Sequence, residues 1–569
     1  MVVLGLNASF GHDPSAALLV DGEVVAAVEQ ERLSRQKHAS GEGCGDAARA
    51  VLAQAGLGPQ DVDAVAFPWS LEAVEAHRWG FVRRSLLRRP SKALALPFRW
   101  RDRGARPLAR LEASLRDAGF DPDRTRIEHV PHQLAHAAST VLFSGFDECA
   151  VLTIDGGGEL TTCSFGSATG GEIDLFHQIE RPDSLGLFYS AITDYLGFDV
   201  NDGEYKLMGM AAYGDPAQAD LSDFLRCQRG DLRLDLRAIW PTKKYRYEGR
   251  RFGTALVDRF GPPREGDAAG APYIHVAAAA QALFERSALD LVEHHLGFIL
   301  ERTRSLCFAG GCALNVKLNR LLRDHPLVDR LFVPPAADDA GTALGAAAVV
   351  AQREGETIAP LSTAQLGPSF SNAEVEAVLA RRGVAGQRVD DAPAKAAELL
   401  AQGEVVAWFQ GRMEWGARAL GARSILGHPG KLGTADQINA RIKFREQWRP
   451  FCPSVLAERA PDYLGSVHPS PFMAQAFELP KAWAERTPEV VHVDGTARPQ
   501  TVHAETLPRY HRLIQEFEQR TGLPCVINTS LNRRGEPIVC TPDEALDMFF
   551  GSDLLHLFLE DWYVEKPGG

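Results

Sequence analysis

The amino-acid sequence predicts an α/β protein in two domains, the first assembled from one supersecondary unit used twice. Three observations carry that prediction. A pattern of strand, polar loop, strand, tight turn and strand occurs at the start of the chain and again from Cys149, about 140 residues later. The length of 569 residues exceeds what one hydrophobic core supports. A mixed stretch with two prolines, TIAPLSTAQLGPSFSNAE at 357–374, divides the chain, giving expected domains of 1–360 and 367–569.

In the first copy an apolar run at 2–6 precedes the turn-rich NASFGHDPS, and a second run at 16–20 meets the Asp21-Gly22 turn and continues through 23–28. In the second copy AVLTID, the loop GGGE, LTTCSFGSA, the Gly170-Gly171 turn and EIDLFHQ follow in the same order. Both turn dipeptides suit two-residue hairpin loops, which need positive φ. A helical pattern spans 275–296, and 305–322 reads as strand, glycine turn and helix. LFVPP follows, then AADDAGTALGAAAVVAQRE, whose small residues favour close helix packing. In the second domain EVVAWFQ, RSILGH and PCVINTS read as strands.

Composition excludes several classes. An apolar fraction of 45% with 24% charged residues is that of a globular enzyme, and the formal charge of −13 argues against nucleic acid as partner, while leaving room for a local anion site. Nine scattered cysteines without a CxxC pair suit reduced thiols in a cell. The N-terminal MVVLGLNASF carries no signal-peptide pattern, and no apolar run reaches the ~18 residues of a membrane span. The expected location is the cytoplasm, with no membrane partner, as monomer or homodimer.

HQLAH at 132–136 places two imidazoles four positions apart, on one face if the segment is helical. Such a pair could serve one cation, and carboxylates would complete the set. Asp155 ends the strand AVLTID, and Asp339 sits in DDAGTALG at a strand-to-helix turn. Adding carboxylates to imidazoles moves the preference toward an open-sided site such as ferrous iron.

Four glycine loops, NASFGHD, DGGGE, AGGCALN and DDAG, could surround phosphate oxygens with backbone N–H groups. Their placement after strands of a duplicated unit resembles the actin, sugar-kinase and heat-shock ATPase (ASKHA) superfold. A basic cluster, Arg412, Arg418, Arg423, Lys443, Arg445 and Arg449, lies in the second domain, where guanidinium forks would suit a polyanion. Asn528, Ser530 and Asn532 at the end of a strand could orient a small polar substrate.

Taken together, FGHDPSAALLVDG, ERLSRQKH, HQLAHAAS, IDGGGE, SLGLFYS, KLMGMAAYG, FAGGCALN, DDAGTALGAA, GARALGARSIL, WRPFCPS, RPQTV and NTSLNRRGEPIV resemble the O-carbamoyltransferases of antibiotic and nodulation-factor tailoring, the nebramycin-synthase-like group. The resemblance covers nearly the whole chain. It implies an ASKHA-type transfer domain followed by an α/β YrdC-like domain. The YrdC-like domain would form carbamoyl adenylate from carbamoyl phosphate and ATP, and the transfer domain would pass the carbamoyl group to a hydroxyl of a small-molecule acceptor. By the same resemblance His132, His136, Asp155 and Asp339 hold iron or another divalent metal, His12 is the catalytic histidine, and Mg2+ is a further candidate accompanying ATP. Lys37, Asp155, Gly186, Gly311 and Asn315 fall near the adenylate in the first domain, and Arg418, Lys443, Arg449, Arg498 and Asn528 bind ligand in the second. One segment departs from the group: 78–110 holds eleven Arg or Lys and one acid, Asp102, which suggests a neutral or anionic acceptor.

Two rival readings stay open at this point. A small-molecule kinase or ATPase of the same superfold would release ADP, and leaves HQLAH and the basic cluster without a role. A non-enzymatic nucleotide- and metal-binding scaffold would bind carbamoyl phosphate without consuming it.

Overall fold

Two five-stranded sheets with the same strand order organise the N-terminal part of the chain. The computed structural model describes residues 1–8, 12–88, 106–241, 243–266, 270–444, 446 and 448–566, the side chains of 77, 78, 84, 85 and 87 excepted. The first sheet uses β1 (Val2–Asn7), β2 (Ser15–Val20), β3 (Glu23–Glu29), β4 (Ala64–Phe67) and β5 (Ile127–His129) in the order β3-β2-β1-β4-β5. The next three strands are β6 (Glu148–Ile154), β7 (Thr161–Thr169) and β8 (Glu172–Glu180). After a small hairpin of β9 (Leu225–Gln228) and β10 (Asp231–Leu234) come β11 (Ser305–Ala309) and β12 (Arg330–Phe332), and the second sheet runs β12-β11-β6-β7-β8. In each sheet a meander of three strands is extended by two strands in parallel pairing, β4 on β1 and β5 on β4 in one, β11 on β6 and β12 on β11 in the other. This repeat is the duplicated α/β topology expected from the two meander patterns. Both hairpin turns have positive φ at their central residues, 49° and 78° at Asp21 and Gly22, 58° and 84° at Gly170 and Gly171.

Central strands are apolar on both faces, as β6 (ECAVLTI) and β11 (SLCFA) show, because helices cover both sides. The edge strand β8 alternates exposed and partly buried positions instead. The helix His132–Val141 is buried along nearly its whole length. It packs against the Ala- and Gly-rich helix Gly341–Arg353, and the approach is close enough that a Cβ on Gly345 would lie 1.9 Å from the carbonyl oxygen of Ala135. The same helix meets β1, where a Cβ on Gly5 would lie 1.9 Å from the carbonyl oxygen of Ala343. Small residues at these crossings lock the backbone that carries the two histidines.

Contact clustering divides the chain into two units, one of 1–10, 19–23 and 62–360, the other of 11–18, 24–61 and 361–569. The second unit holds an eight-stranded mixed sheet. Its strands are β13 (Gln387–Arg388), β14 (Val406–Phe409), β15 (Arg423–Gly427), β16 (Cys452–Leu456), β19 (Gln500–Val502), β20 (Cys525–Ser530), β21 (His556–Leu559) and β22 (Trp562–Glu565), with β17 (Phe477–Glu478) and β18 (Thr496–Ala497) pairing apart from it. The order is β13-β22-β21-β14-β15-β20-β16-β19. Alternation along β14 sends Val406 and Trp408 to one core, with Tyr463, Tyr510 and Phe517, and Ala407 and Phe409 to the other, with Ile425, Ile527 and Phe549. Capping boxes at Ser371/Glu374 and Thr541/Glu544 start two of the helices beside this sheet.

Candidate active site

The helix His132–Val141, the end of β6 and the turn that precedes the helix Gly341–Arg353 bring together four side chains able to ligate a metal. His132, His136, Asp155 and Asp339 each offer one donor atom, and these atoms lie within 4.8 Å of one another. His132 Nε2 is 3.5 Å from Asp155 Oδ2 and 3.5 Å from Asp339 Oδ1, and His136 Nε2 is 3.3 Å from Asp339 Oδ1. The two imidazoles meet edge to face with centroids 4.5 Å apart. All four residues are buried.

Such a set fits a divalent cation. Donor atoms at ~2.1 Å from a common centre in tetrahedral to octahedral array stand roughly 3.0–3.5 Å from each other, and the three His–Asp separations fall in that range. Burial works against charge on His132, but Asp339 and Asp155 outweigh it and raise its pKa above the ordinary imidazole value. Burial likewise pushes the Asp155 carboxyl up, and the hydrogen bond with His132 and the nearby His136 hold it well below the usual carboxylate range. The Asp155 carboxylate, kept ionised beside buried imidazoles, gives the site a negative charge that a cation would neutralise.

Backbone groups fix these ligands. Gly157 N donates to Asp155 Oδ2 at 3.1 Å and Gly311 N to Asp155 Oδ1 at 3.3 Å. Ser184 Oγ donates to the Asp155 carbonyl, while Asn7 Nδ2 and Thr342 Oγ1 donate to that of Asp339. Glu159 accepts from the backbone N–H of His132 and of Ser70. Three glycines leave no room for a side chain here: a Cβ on Gly158 would lie 2.5 Å from His132 Cδ2, one on Gly186 2.7 Å from Gly156 N, and one on Gly310 2.3 Å from the Ile154 carbonyl oxygen. Asn315 caps the helix Val316–Arg323 and exchanges hydrogen bonds with Gln281, which also accepts from Tyr189 OH.

His12 and Lys37 belong to the second unit. His12 Nδ1 is 3.1 Å from Asp13 Oδ2, and Lys37 Nζ is 3.9 Å from Glu31 Oε1. Neither Asp13 nor Glu31 was singled out by the sequence reading, although Asp13 directly follows the histidine in the same loop.

The second domain gathers part of the predicted cluster. Cys452 and Asn528 face each other across β16 and β20. Both Nε and Nη2 of Arg498 donate to Cys452 Sγ, at 3.1 and 2.9 Å. Asn528 Nδ2 reaches Ala419 O, Ser454 Oγ and Gln500 Oε1, while its buried Oδ1 has no hydrogen-bond partner among the described residues. Lys443 Nζ donates to Ser530 O at 2.8 Å and to Asn532 O at 2.9 Å, two positions further along the same segment. Arg418 adjoins Ala419, and Arg449 lies 3.5 Å from Glu446, which also pairs with Arg534.

Two members of the expected basic cluster serve the fold instead. Arg423 is fully buried, donates to the carbonyls of Gln410, Gly411, Ala422 and Pro368, and stacks on Phe409 with its guanidinium carbon 3.5 Å from the ring centroid. Arg412 donates to the carbonyls of Val25, Leu366 and Gly367. Spacing alone could not separate a guanidinium aimed at a ligand from one that satisfies loop carbonyls. Glu414 organises the same loop, accepting from the N–H groups of Leu420, Ala422 and Arg423. Arg445 lies outside the described residues, as does 89–105 of the basic 78–110 segment. Arg88 from that segment pairs with Asp183 at 2.6 Å.

Comparison with known proteins adds a family. Residues 2–348 match the family described as Carbamoyltransferase N-terminus, and residues 397–566 the one described as Carbamoyltransferase C-terminus. Uncharacterized protein sll1178 of Synechocystis is 38% identical over 99% of this chain and 96% of its own length. Nodulation protein NolNO of Sinorhizobium fredii is 36% identical over 99% of this chain and 80% of its own, and Nodulation protein NolO of Bradyrhizobium diazoefficiens 38% identical over 76% and 78%. Among solved structures, component A of (R)-2-hydroxyglutaryl-CoA dehydratase from Acidaminococcus fermentans aligns over 61% of this chain and 97% of its own at 13% identity and a TM-score of 0.35. HypF of T. kodakarensis aligns over 63% and 49% at 12% identity and a TM-score of 0.30.

Proposed function

The chain belongs to the carbamoyltransferase family, and from that premise we propose a two-step O-carbamoyl transfer to a hydroxyl of a small molecule. Carbamoyl phosphate loses its phosphoryl group to water to give carbamate and phosphate, and the carbamate oxygen attacks the α-phosphorus of ATP in a YrdC-like domain of 367–569, forming carbamoyl adenylate and releasing pyrophosphate. The acceptor hydroxyl then attacks the carbamoyl carbon in an ASKHA-type domain of 1–360, and AMP leaves.

In the first step Arg418, Lys443, Arg449 and Arg498 bind phosphate and carboxylate oxygens, a task suited to guanidinium forks and an ammonium held near the strand end. Arg498 exchanges the Cys452 sulfur for an anion. The buried Asn528 Oδ1 accepts from the carbamoyl NH2, which gives that oxygen the partner it lacks. In the second step the N–H groups around Gly186 and Gly311, with Asn315, hold the adenylate, and Asp155 belongs to both adenylate and metal surroundings. His12 takes the hydroxyl proton. An alcohol is a poor nucleophile near neutral pH, and a positioned imidazole contributes about 10² to 10⁴ in rate.

His132, His136, Asp155 and Asp339 would hold ferrous iron or another divalent ion, which when bound polarises the carbamoyl carbonyl and offsets phosphate charge. Their convergence inside residues that match the N-terminal family is the observation that carries this reading. Two relatives named as nodulation proteins support a small secondary metabolite as acceptor. Incubation of the protein with ATP, carbamoyl phosphate and a panel of hydroxylated metabolites, followed by mass spectrometry, should reveal one acceptor heavier by a carbamoyl group. Consumption of carbamoyl phosphate with no carbamoylated product from a broad panel would count against transfer to a small-molecule hydroxyl.

A further inference from the structure

Two backbone carbonyls fix the direction of two buried amides in the second unit. The sheet brings the amides together. Cys452 lies opposite Asn528 across β16 and β20, and Ser454, two positions on and therefore on the same face, lies opposite Gln500 across β16 and β19. Asn528, Gln500 and Ser454 are 2%, 1% and 0% exposed. A carbonyl oxygen only accepts, so the Leu420 carbonyl, 2.8 Å from Gln500 Nε2, turns the Gln500 amide with its nitrogen toward Leu420 and Oε1 toward Asn528. For the same reason the Ala419 carbonyl, 3.1 Å away, holds Asn528 Nδ2. Gln500 Oε1 accepts from that nitrogen at 3.2 Å and from Ser454 Oγ at 2.7 Å, which commits the hydroxyl proton and leaves Ser454 to accept from Asn528 Nδ2 at 3.0 Å. Each of these three contacts demands nitrogen on that side of Asn528. Oδ1 is thereby presented on the other side, buried and with no hydrogen-bond partner among the described residues. An unmet buried acceptor is costly, so the site favours a ligand that brings a donor to it.

We propose that Gln500 is a positioning residue that sets specificity: it keeps Asn528 Oδ1 an obligatory acceptor, so that the site selects a small anion bearing an NH2 group and rejects the isostere with a methyl group in its place. The selection rests on the reading of this site as the one that takes carbamoyl phosphate, and adds to it a ground for discrimination. Carbamoyl and acetyl groups have nearly the same shape. An apolar pocket separates such a pair weakly, whereas a buried polar atom left unpaired by the wrong ligand separates them well. Arg498, which donates to the sulfur of Cys452, the residue paired with Asn528, supplies the cationic half of the site and serves both ligands alike, because both are anions. Without Gln500 the Ser454 hydroxyl is released to donate to the Asn528 amide, which then presents either end, and the selection relaxes.

The test uses the full chain and two stable phosphonates that differ only in this group, phosphonoacetamide and 2-oxopropylphosphonate, with dissociation constants from isothermal titration. The wild type should bind the amide about tenfold or more tightly than the ketone. Gln500→Leu should cut that ratio about fivefold or more and change the ketone's constant less than about threefold, a split that a merely disturbed fold would not give. Gln500→Asn, a milder change that draws the amide back from Leu420 and Asn528, should move the ratio in the same direction. A wild-type ratio near one, with both phosphonates bound, would leave Asn528 Oδ1 to a structural water and overturn the selection, while the reading of the site as an anion site stood. A ratio unchanged in both variants would reduce Gln500 to a structural role. Binding of neither phosphonate by the wild type would place the fault in the reading of the site itself, and the selection would fall with it.

Discussion

His136 Nε2 stands 3.3 Å from Asp339 Oδ1 across 203 positions of the chain, with both side chains buried. The pair closes a set of two imidazoles and two carboxylates whose spacing suits one cation. Substituting His136 or Asp339 removes a donor without touching the second domain. His136→Ala should reduce bound metal, read by elemental analysis after reconstitution with ferrous iron, from about one ion per chain toward none. Pyrophosphate release should persist. Full metal occupancy in this variant would exclude His136 as a ligand.

The fit of Gly158 against His132 makes a graded prediction. A Cβ on Gly158 would lie 2.5 Å from His132 Cδ2, whereas one on Gly311 would lie 3.1 Å from Asp155 Oδ1. Gly158→Ala should therefore weaken metal binding about 10- to 100-fold, the range for disturbed support of a ligand. Gly311→Ala should weaken it less, and the reverse order in a metal titration would contradict the packing described.

Glu414 holds the loop that carries Arg418. With one oxygen it accepts from three backbone N–H groups and lies beside buried Arg423. Glu414→Ala leaves those three donors without their acceptor and takes one carboxylate away from that guanidinium, and should cost about 3 kcal/mol in urea unfolding. A loss under ~0.5 kcal/mol, the scale of an ordinary surface substitution, would mean the loop does not depend on it.

A substitution at Asn528 tests the proposed division into two half-reactions. Asn528→Ala should suppress formation of carbamoyl adenylate, while transfer from chemically prepared carbamoyl adenylate to an acceptor continues. Equal loss of both activities would remove the assignment of this residue to the first step.

Acid stability tests the state of Asp13. Its carboxyl is held below the usual range, so its contribution is present above the unfolded value of about 3.9 and fades as pH falls toward the folded one. The stability gap between wild type and Asp13→Asn should be full at pH 5 and shrink below about pH 4. A gap that stays constant to pH 2 would show that Asp13 is not a stabilising carboxylate.

Periodicity and loop placement made much of this legible. The i, i+4 spacing of His132 and His136 is a local property, and the places of Asp155 at the end of a strand and Asp339 in the turn before a helix follow from apolar runs meeting glycine-rich turns. The duplicated meander was readable because both copies carry hairpin dipeptides that need positive φ. Strands β4 and β5 went unread, having only four and three residues. Arg412 and Arg423 were misjudged because charge in a sequence does not say whether a guanidinium meets solvent, ligand or backbone carbonyls. The Asp13–His38 contact was hidden because it depends on left-handed residues at both ends, a conformation that their side-chain types permit but do not announce.

The most direct test is the phosphorus spectrum of a reaction of the full chain with ATP, carbamoyl phosphate and acceptor. AMP, pyrophosphate and phosphate should appear together, in proportion to carbamoylated product. ADP as the nucleotide product would place the chemistry at the γ-phosphate and contradict transfer through a carbamoyl adenylate.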